Sequence, residues 1–476
     1  MAKLWSKGYE VEPLIERYES ARNAALDGEL VRHDLWGSLA QARMLKRIGL
    51  LSESEWTALD GALKQLLREA SEGTLRPVTA EEDIHTTIEH RLVALVGDAG
   101  KKIHTGRSRN DQVLLDLRLY AKEALLGIAD ALLETAAQLL VLAQRHEWTP
   151  LPGYTHMQRA MLSSVGLWAA AYVEALLDDC GPLAAAYALN DQSPLGSGAA
   201  YGAPLPLDRA YVAELLGFAR VHHNVLTAAN ARGKSEAAVV QALALVMLDL
   251  SKWAQDVLLF TTSEYGFFQA PQELCDGSSM MPQKRNLSAL ELVRARAHTV
   301  IGLQGQMLST LAGLPSGYNM DYQETKAPLI EAAHVCRESL EIVALFASRL
   351  EVNEARVREA CSAELFATDR ALELARQGMP FRDAYVAVAA NPASGPRGEV
   401  ENADAQRPQG PLPEGESSAE NLAERLRART HEGAAGNLDL EGVSSRVTAE
   451  SVAWGERRQR FEQAIAALTG EETPGL

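Results

Sequence analysis

Four long stretches of this chain are apolar over so much of their helical surface that they limit what the chain can fold into. Apolar residues recur at three- and four-residue spacing over 111–147, 158–188, 235–264 and 288–312, which predicts four helices. A helix of about 30 residues is about 45 Å long, and one that is apolar on nearly all sides must be covered on nearly all sides. We therefore expect an all-α protein with a long bundle, and an oligomer, because one chain cannot cover this apolar area.

The bundle divides the chain into three predicted regions. Shorter helical patterns fill an N-terminal region, 1–105, and the bundle fills 106–350. A small helical region, 351–476, follows and ends in a helix predicted over 448–469. Within it, residues 391–421 are rich in proline, glycine and acidic residues and have no apolar period, which predicts a flexible insertion.

The formal charge of −17 argues against nucleic acid or an acidic membrane as a partner, because proteins that bind these polyanions are usually basic. Four cysteines lie outside any CxxC or Cys/His spacing, namely Cys180, Cys275, Cys336 and Cys361. They predict reduced thiols. The first residues contain no apolar signal core. We expect a soluble, cytoplasmic protein that acts on a small molecule.

Five polar stretches interrupt the apolar background close to predicted helix ends. They are 81–92, 104–112, 151–160, 277–286 and 316–329. Each has an ordinary interpretation as a loop or as a helix N-terminus; the stretch around His85, for example, is typical of a solvated N-terminus with acids near the positive end of the helix dipole. Their joint occurrence predicts one shared site where helix ends converge.

Two of these stretches carry groups for anion binding and proton transfer. "HTGRSRNDQ" (104–112) places Arg107, Arg109 and Asn110 just before the longest helix. Arginine forks and helix N–H groups both bind carboxylates or phosphates. "LPGYTHMQRA" (151–160) places Thr155 and His156 just before an apolar helix.

The stretch "GSSMMPQKRN" (277–286) has neither helical nor strand periodicity. Its small residues, its hydroxyl groups and Lys284 could together stabilise a developing oxyanion. An ordinary alternative is a loop followed by a capping box formed by Ser288 and Glu291. The sequence contains no apparent metal-ligand set and no phosphate-binding glycine loop, so we expect acid–base chemistry without a metal or cofactor.

These motifs resemble those of a known superfamily. "GSSMMPQKRN" is similar to the GSSxMPxKxN motif of the fumarase/aspartase superfamily. "HTGRSRNDQ", "LPGYTHMQRA", "PLGSGA" (194–199) and "YNMDYQETK" (318–326) resemble the argininosuccinate lyase and delta-crystallin family. The resemblance implies an all-helical homotetramer whose multi-helix core is built from the four bundles, with active sites that each use segments of three subunits. It also implies reversible elimination of arginine from argininosuccinate, leaving fumarate, as the last step of arginine biosynthesis.

The resemblance also assigns roles to residues. Ser278 matches the general base, His156 the acid–base histidine, Glu291 its charge-relay partner, and Lys284 with Asn286 the groups that stabilise the carbanion. Positions that match substrate contacts are Ser38, Arg109, Asn110, Thr155, Asn286, Tyr318, Gln323 and Lys326.

Three departures from the family pattern leave alternatives open. Leu287 stands where the family usually has proline, Thr325 replaces the aspartate of "QEDK", and "TAANARGKSE" (227–236) replaces a Ser-x-Asp-Arg-Asp stretch. One alternative is a sister lyase that releases fumarate from a different succinyl-amine adduct. Another is a scaffold without activity, against which the joint presence of Ser278, His156, Lys284 and Glu291 argues.

Overall fold

The computed structural model describes residues 26–77, 83–390 and 417–470, together with single positions between 12 and 19. Its helices are α1 (Val31–Arg47), α2 (Glu53–Ser71), α3 (Ile84–Val96), α4 (Asp98–Lys102), α5 (Arg109–Arg145), α6 (Val165–Asn190), α7 (Arg209–Leu215), α8 (Val225–Asn230), α9 (Lys234–Phe260), α10 (Ser288–Leu311), α11 (Lys326–Arg349), α12 (Glu354–Glu359), α13 (Ala367–Arg376), α14 (Phe381–Ala390), α15 (Ala419–Arg427) and α16 (Leu440–Thr469). The strands are β1 (Pro150–Thr155), β2 (Gln158–Ser164), β3 (Gln192–Ser193), β4 (Arg220–Val221), β5 (Phe268–Gln269) and β6 (Glu351–Val352).

The long helices form the predicted bundle. α5 packs against α6 and α11, and α9 packs against α6, α10 and α11. Leu132, Val173, Val246 and Leu340, one from each of α5, α6, α9 and α11, are completely or almost completely buried. The all-α class is confirmed, since the strands pair only two by two. The region boundaries at 105 and 350 stay predictions, and most of the predicted insertion, 391–416, lies outside the described residues.

The last helix is longer than predicted and belongs to the bundle by packing. It begins at Leu440 rather than at 448, with Asp439 accepting a hydrogen bond from the Gly442 N–H at 3.1 Å. It packs along α5, α6 and α1. Phe461 from this helix is 1% exposed, and its ring lies edge-on to that of Trp36.

The prediction of a helix over 158–188 is wrong for its first seven residues, which form β2. β1 and β2 make an antiparallel hairpin, and the register shifts between Pro152 and Tyr154. The turn consists of His156 and Met157, whose φ angles are 52° and 62°, as a two-residue type I′ turn requires. α6 begins only after Ser164, whose hydroxyl accepts a hydrogen bond from the Leu167 N–H at 3.0 Å.

The predicted capping box of Ser288 and Glu291 is also wrong. Leu287 occupies the N-cap position of α10, and no side chain caps this helix. Ser288 lies one residue inside the helix, so its hydroxyl is past the position from which it would cap the free N–H groups. A capping box is present at the start of α5, where Ser108 and Asp111 exchange hydrogen bonds.

Several bundle helices keep large apolar side chains at the surface of the single chain. They are Val141 on α5, Leu245 and Leu248 on α9, Leu292, Ile301 and Leu308 on α10, and Leu345 on α11. By length and composition alone, α5 and α9 could each cross a membrane, but 61% of each apolar window is buried in the protein. Buried bundle helices have the same composition.

We predict that Phe461→Ala lowers the free energy of unfolding by about 3–5 kcal/mol, because it leaves a cavity where α16 meets α1 and α5. Urea unfolding followed by circular dichroism measures the change. Phe381→Ala is the matched control, since Phe381 is 53% exposed; equal losses in the two variants would contradict the packing of α16.

Candidate active site

A small pocket lies beside the start of α5. Its walls come from α5, the end of α8, the segment before α11 and the loop 194–199 after β3, which we call the glycine-rich loop. The lining residues are Asn110, Asp111, Leu114, Ser197, Gly198, Ala200, Ala229, Arg232 and Tyr318. Two of the predicted substrate contacts, Asn110 and Tyr318, therefore share one pocket.

Asp111 fastens the glycine-rich loop to the start of α5. Its Oδ2 accepts hydrogen bonds from the N–H groups of Gly196 and Gly198, at 2.9 and 2.8 Å, and its Oδ1 accepts one from Ser108 at 2.8 Å. Burial raises the pKa of the Asp111 carboxyl, although these N–H groups oppose the rise. Gly196 has a φ of 83°, and a Cβ there would come within 2.9 Å of Arg209 Cγ, so the loop requires a glycine at this position.

Arg232 is the cation of the pocket. It is 2% exposed, and its Nη2 donates to Gln323 Oε1 at 3.2 Å, while Gln323 Nε2 donates to the Tyr318 hydroxyl at 3.1 Å. Its guanidinium carbon lies 5.4 Å from the centre of the Tyr318 ring. Within the described chain, Arg232 Nε and Nη1 have no hydrogen-bond partner. A buried guanidinium with two unused donors is suited to bind a carboxylate.

Sequence reasoning did not select Arg232. It lies in the stretch 227–236, which was noted only as a departure from the family pattern. The one local signal is an arginine next to Gly233 at the start of an apolar helix. Gln323, which sequence reasoning did select, contacts Arg232 and Tyr318 and so belongs to the same group.

Three other predicted substrate contacts are hydrogen-bonded to protein side chains behind the pocket. Ser38 is buried and accepts a hydrogen bond from Arg107 Nη1 at 3.1 Å. Arg109 Nη1 donates to Asp83 at 2.5 Å. Lys326 Nζ donates to Asp27 Oδ1 at 2.8 Å, with both side chains buried. Ser38, Arg109 and Lys326 thus connect the elements around the pocket, and their contact with substrate stays a prediction.

The loop 277–286 is closed at its base and exposed along its length. Asp276 and Asn286 exchange two backbone hydrogen bonds of 2.9 Å. The Ser278 hydroxyl oxygen accepts hydrogen bonds from the N–H groups of Met280 and Met281, at 3.3 and 3.1 Å. Lys284 is exposed, as is Met280. Two N–H groups directed at one hydroxyl oxygen favour negative charge on that oxygen.

Thr155 and His156 are exposed at the tip of the β1–β2 hairpin. Glu291 is exposed in the first turn of α10. In the described part of the single chain, no hydrogen bond or ion pair joins His156 to Glu291 or to Ser278. The predicted catalytic residues therefore lie in two places: the loop 277–286 with the first turn of α10, and the tip of the β1–β2 hairpin. Neither set lines the pocket.

We predict that Asp111→Asn speeds amide hydrogen exchange at Gly196 and Gly198 at least about tenfold, because an amide cannot accept from three donors as the carboxylate does. Hydrogen-exchange mass spectrometry of peptides that cover 195–202 measures this. Asp98→Asn, at the exposed start of α4, is the control and should leave these peptides unchanged. Unaltered exchange in Asp111→Asn would show that the loop does not depend on this carboxylate.

Comparison with known proteins identifies the family of this chain. A family model for lyases matches residues 14–302. The chain is 43% identical to an argininosuccinate lyase of Sorangium cellulosum, over 94% of this chain and 98% of the relative. It is 40% identical to an argininosuccinate lyase of Thermotoga neapolitana, over 81% of this chain and 97% of the relative.

Among solved structures, EDDS lyase in complex with formate has the same fold, with a TM-score of 0.77 over 98% of this chain and 95% of that chain. The two sequences are 22% identical, so this similarity concerns the fold alone. The identities to the two curated relatives extend over most of both chains. The chain therefore belongs to the argininosuccinate lyase family.

Proposed function

We propose that this protein is an argininosuccinate lyase, which reversibly eliminates arginine from argininosuccinate and leaves fumarate. The observation that carries the proposal is the 43% identity to an enzyme of that name over almost the whole of both chains. The pocket agrees with it, because Arg232 offers two unused donors to a carboxylate of the succinyl group. Asn110 and Tyr318 line the same wall and can hydrogen-bond to the substrate's other polar atoms.

In this mechanism Ser278 acts as the general base. Its oxygen takes the proton from the carbon next to a carboxylate, and the N–H groups of Met280 and Met281 stabilise the alkoxide that this requires. The electron pair left on carbon delocalises into the carboxylate and gives an aci-carboxylate with two negative charges. Lys284 and Asn286, on the same loop, stabilise that charge.

Cleavage of the carbon–nitrogen bond completes the elimination. The electron pair on carbon forms the double bond of fumarate, and the bond to the guanidinium nitrogen breaks. That nitrogen takes a proton from His156, directly or through water, and leaves as arginine. Glu291 then acts as the charge-relay partner of His156.

We further propose that the active site is assembled in a homotetramer. Among the described residues of one chain, no hydrogen bond or ion pair joins Ser278 to His156, which supports a site built from several subunits. The uncovered apolar side chains of α5, α9, α10 and α11 support association of the bundles, because large exposed apolar faces mark protein interfaces. We also propose that this reaction is the last step of arginine biosynthesis and takes place in the cytoplasm.

A sister lyase acting on another succinyl-amine adduct is the second candidate. The stretch 227–236 and Thr325 favour it, because both depart from the family pattern next to groups of the pocket: the stretch contains Arg232, and Thr325 lies two residues after Gln323. The ultraviolet absorbance of released fumarate decides between the candidates, with argininosuccinate and other succinyl-amines offered in turn. Turnover of another adduct alone would overturn the proposed substrate.

We predict that Ser278→Ala lowers kcat by roughly 10²–10⁴-fold, because it removes the general base, while calorimetry still detects substrate binding. Ser279→Ala is the matched control on the same loop and should retain most activity. Normal turnover by Ser278→Ala would exclude this serine as the base.

We also predict that mixing Ser278→Ala with His156→Asn, followed by reassembly, restores activity that neither variant has alone. If each site takes Ser278 and His156 from different subunits, roughly a quarter of the sites in random hybrids carry both intact residues. Fumarate release after dilution from mild denaturant measures the recovery. No recovery from mixed tetramers would mean that one chain supplies both residues.

A further inference from the structure

A buried group of ionisable side chains lies on the other side of α5 from the pocket. Asn110, Asp111 and Leu114 face the pocket. Gln112 and Asp116, one helical turn apart, face α1 and α3 instead, where Asp34 and His85 are their neighbours. The first two turns of α5 therefore lie between the pocket and this buried group.

The contacts within the group join three helices. His85 Nδ1, from α3, lies 3.3 Å from Asp34 Oδ1 of α1 and 3.7 Å from Asp116 Oδ2 of α5. Gln112 Nε2 donates to Asp34 Oδ1 at 2.5 Å. These four residues are between 0 and 4% exposed. The sequence-based expectation of a solvated His85 is wrong, because the helix N-terminus that carries it packs into the protein.

The surroundings set the charge of each member. Burial lowers the pKa of His85, but Asp34, Asp83 and Asp116 outweigh it and raise the pKa to about 9. Burial would raise the pKa of Asp34, but chiefly the His85 charge, with smaller contributions from Arg107 and Gln112, holds it below the ordinary value.

Burial and the Asp34 charge raise the pKa of Asp116 well above its ordinary value. His104 is a further titratable neighbour, and burial lowers its pKa to about 4, so it is neutral at pH 7. The raised pKa of His85 and the lowered pKa of Asp34 favour an imidazolium paired with a carboxylate, and the raised pKa of Asp116 favours its neutral acid. A buried charge pair without net charge is far less costly than either ion alone.

We propose that the His85–Asp34 ion pair is a positioning device for the active site, which fixes the start of α5 and so holds Asn110 at the pocket wall. Arg107 extends the device, because the carboxylates of Asp34 and Asp111 attract its guanidinium while its Nη1 donates to Ser38. Neither His85 nor Asp34 lines the pocket. Both act through α5. A test of this proposal by enzyme activity rests on the proposed function.

The test compares Asp34→Asn with Asp116→Asn, two identical changes in one buried group. Asp34→Asn leaves an unpaired imidazolium, so the start of α5 shifts and kcat/KM for argininosuccinate falls by about 10–100-fold. Asp116→Asn puts a neutral amide in place of a carboxyl group whose raised pKa favours the neutral acid, so it should lower kcat/KM by about threefold at most. Equal losses of kcat/KM in the two variants would overturn the proposal that Asp34, and not Asp116, carries the negative charge paired with His85.

The pH profile separates positioning from a merely structural role. His85 has a raised pKa, so the ion pair is intact below that pKa and is lost as the pH rises through about 9. Wild-type kcat/KM should therefore fall near pH 9, whereas Asp34→Asn, which has no ion pair to lose, should lack this fall. A fall at the same pH and of the same size in Asp34→Asn would overturn the proposal.

A double variant keeps the test decisive if Asp34→Asn folds poorly. Asp34→Asn/His85→Gln removes both charges and should unfold at a higher temperature than Asp34→Asn alone, because no unpaired ion remains.

The geometry of Asp34, His85 and Asp116 also suits a divalent cation. Activity that is lost on chelation and regained with the metal would contradict the ion pair. Wild-type protein that turns over no argininosuccinate would refute the proposed function, while the unfolding temperatures still test the ion pair.

Discussion

The apolar area of the long helices is the constraint on which the rest of the structure depends. α5 and α9 must be covered on nearly all sides. α6 and α11 cover most of α5, and α10, α6 and α11 cover most of α9. This contact zone is mainly apolar, and the polar stretches of the sequence lie close to helix ends. The pocket lies at such a place, beside the start of α5, and the same area that one chain leaves uncovered supports association of several chains.

Charges that are buried near the pocket are arranged in pairs that tie different helices together. Lys326 with Asp27 connects the start of α11 to the segment before α1, and Arg109 with Asp83 connects α5 to α3. Arg232 differs, because two of its nitrogen atoms lack a partner among the described residues. Lys326 and Arg109 connect the elements around the pocket, whereas Arg232 lines it and is the cation that we propose a carboxylate ligand binds.

The sequence was sufficient for features that depend on local pattern. Apolar periodicity predicted α5, α9 and α10 within a few residues, and the motifs predicted that Asn110, Tyr318 and Gln323 lie together. The β1–β2 hairpin was missed, because the apolar spacing of "QRAMLSS" suits a helix as well as a strand and the turn lacks glycine or asparagine. His85 and Arg232 were misread or missed because their burial depends on partners far along the chain, such as Asp34 and Gln323. The glycine-rich loop lacked any signal for the hydrogen bonds to Asp111.

The turn at the tip of the hairpin has a consequence for how activity depends on the amount of protein. His156 and Met157 both have left-handed backbone angles, at a cost of roughly 1 kcal/mol or more each. The side chain of His156 makes no hydrogen bond or ion pair with the described residues of its own chain. Under the proposed assembly, a newly made chain carries a strained and idle histidine. Catalysis then appears only when subunits meet, so dilution would lower the activity per chain and not only the total activity.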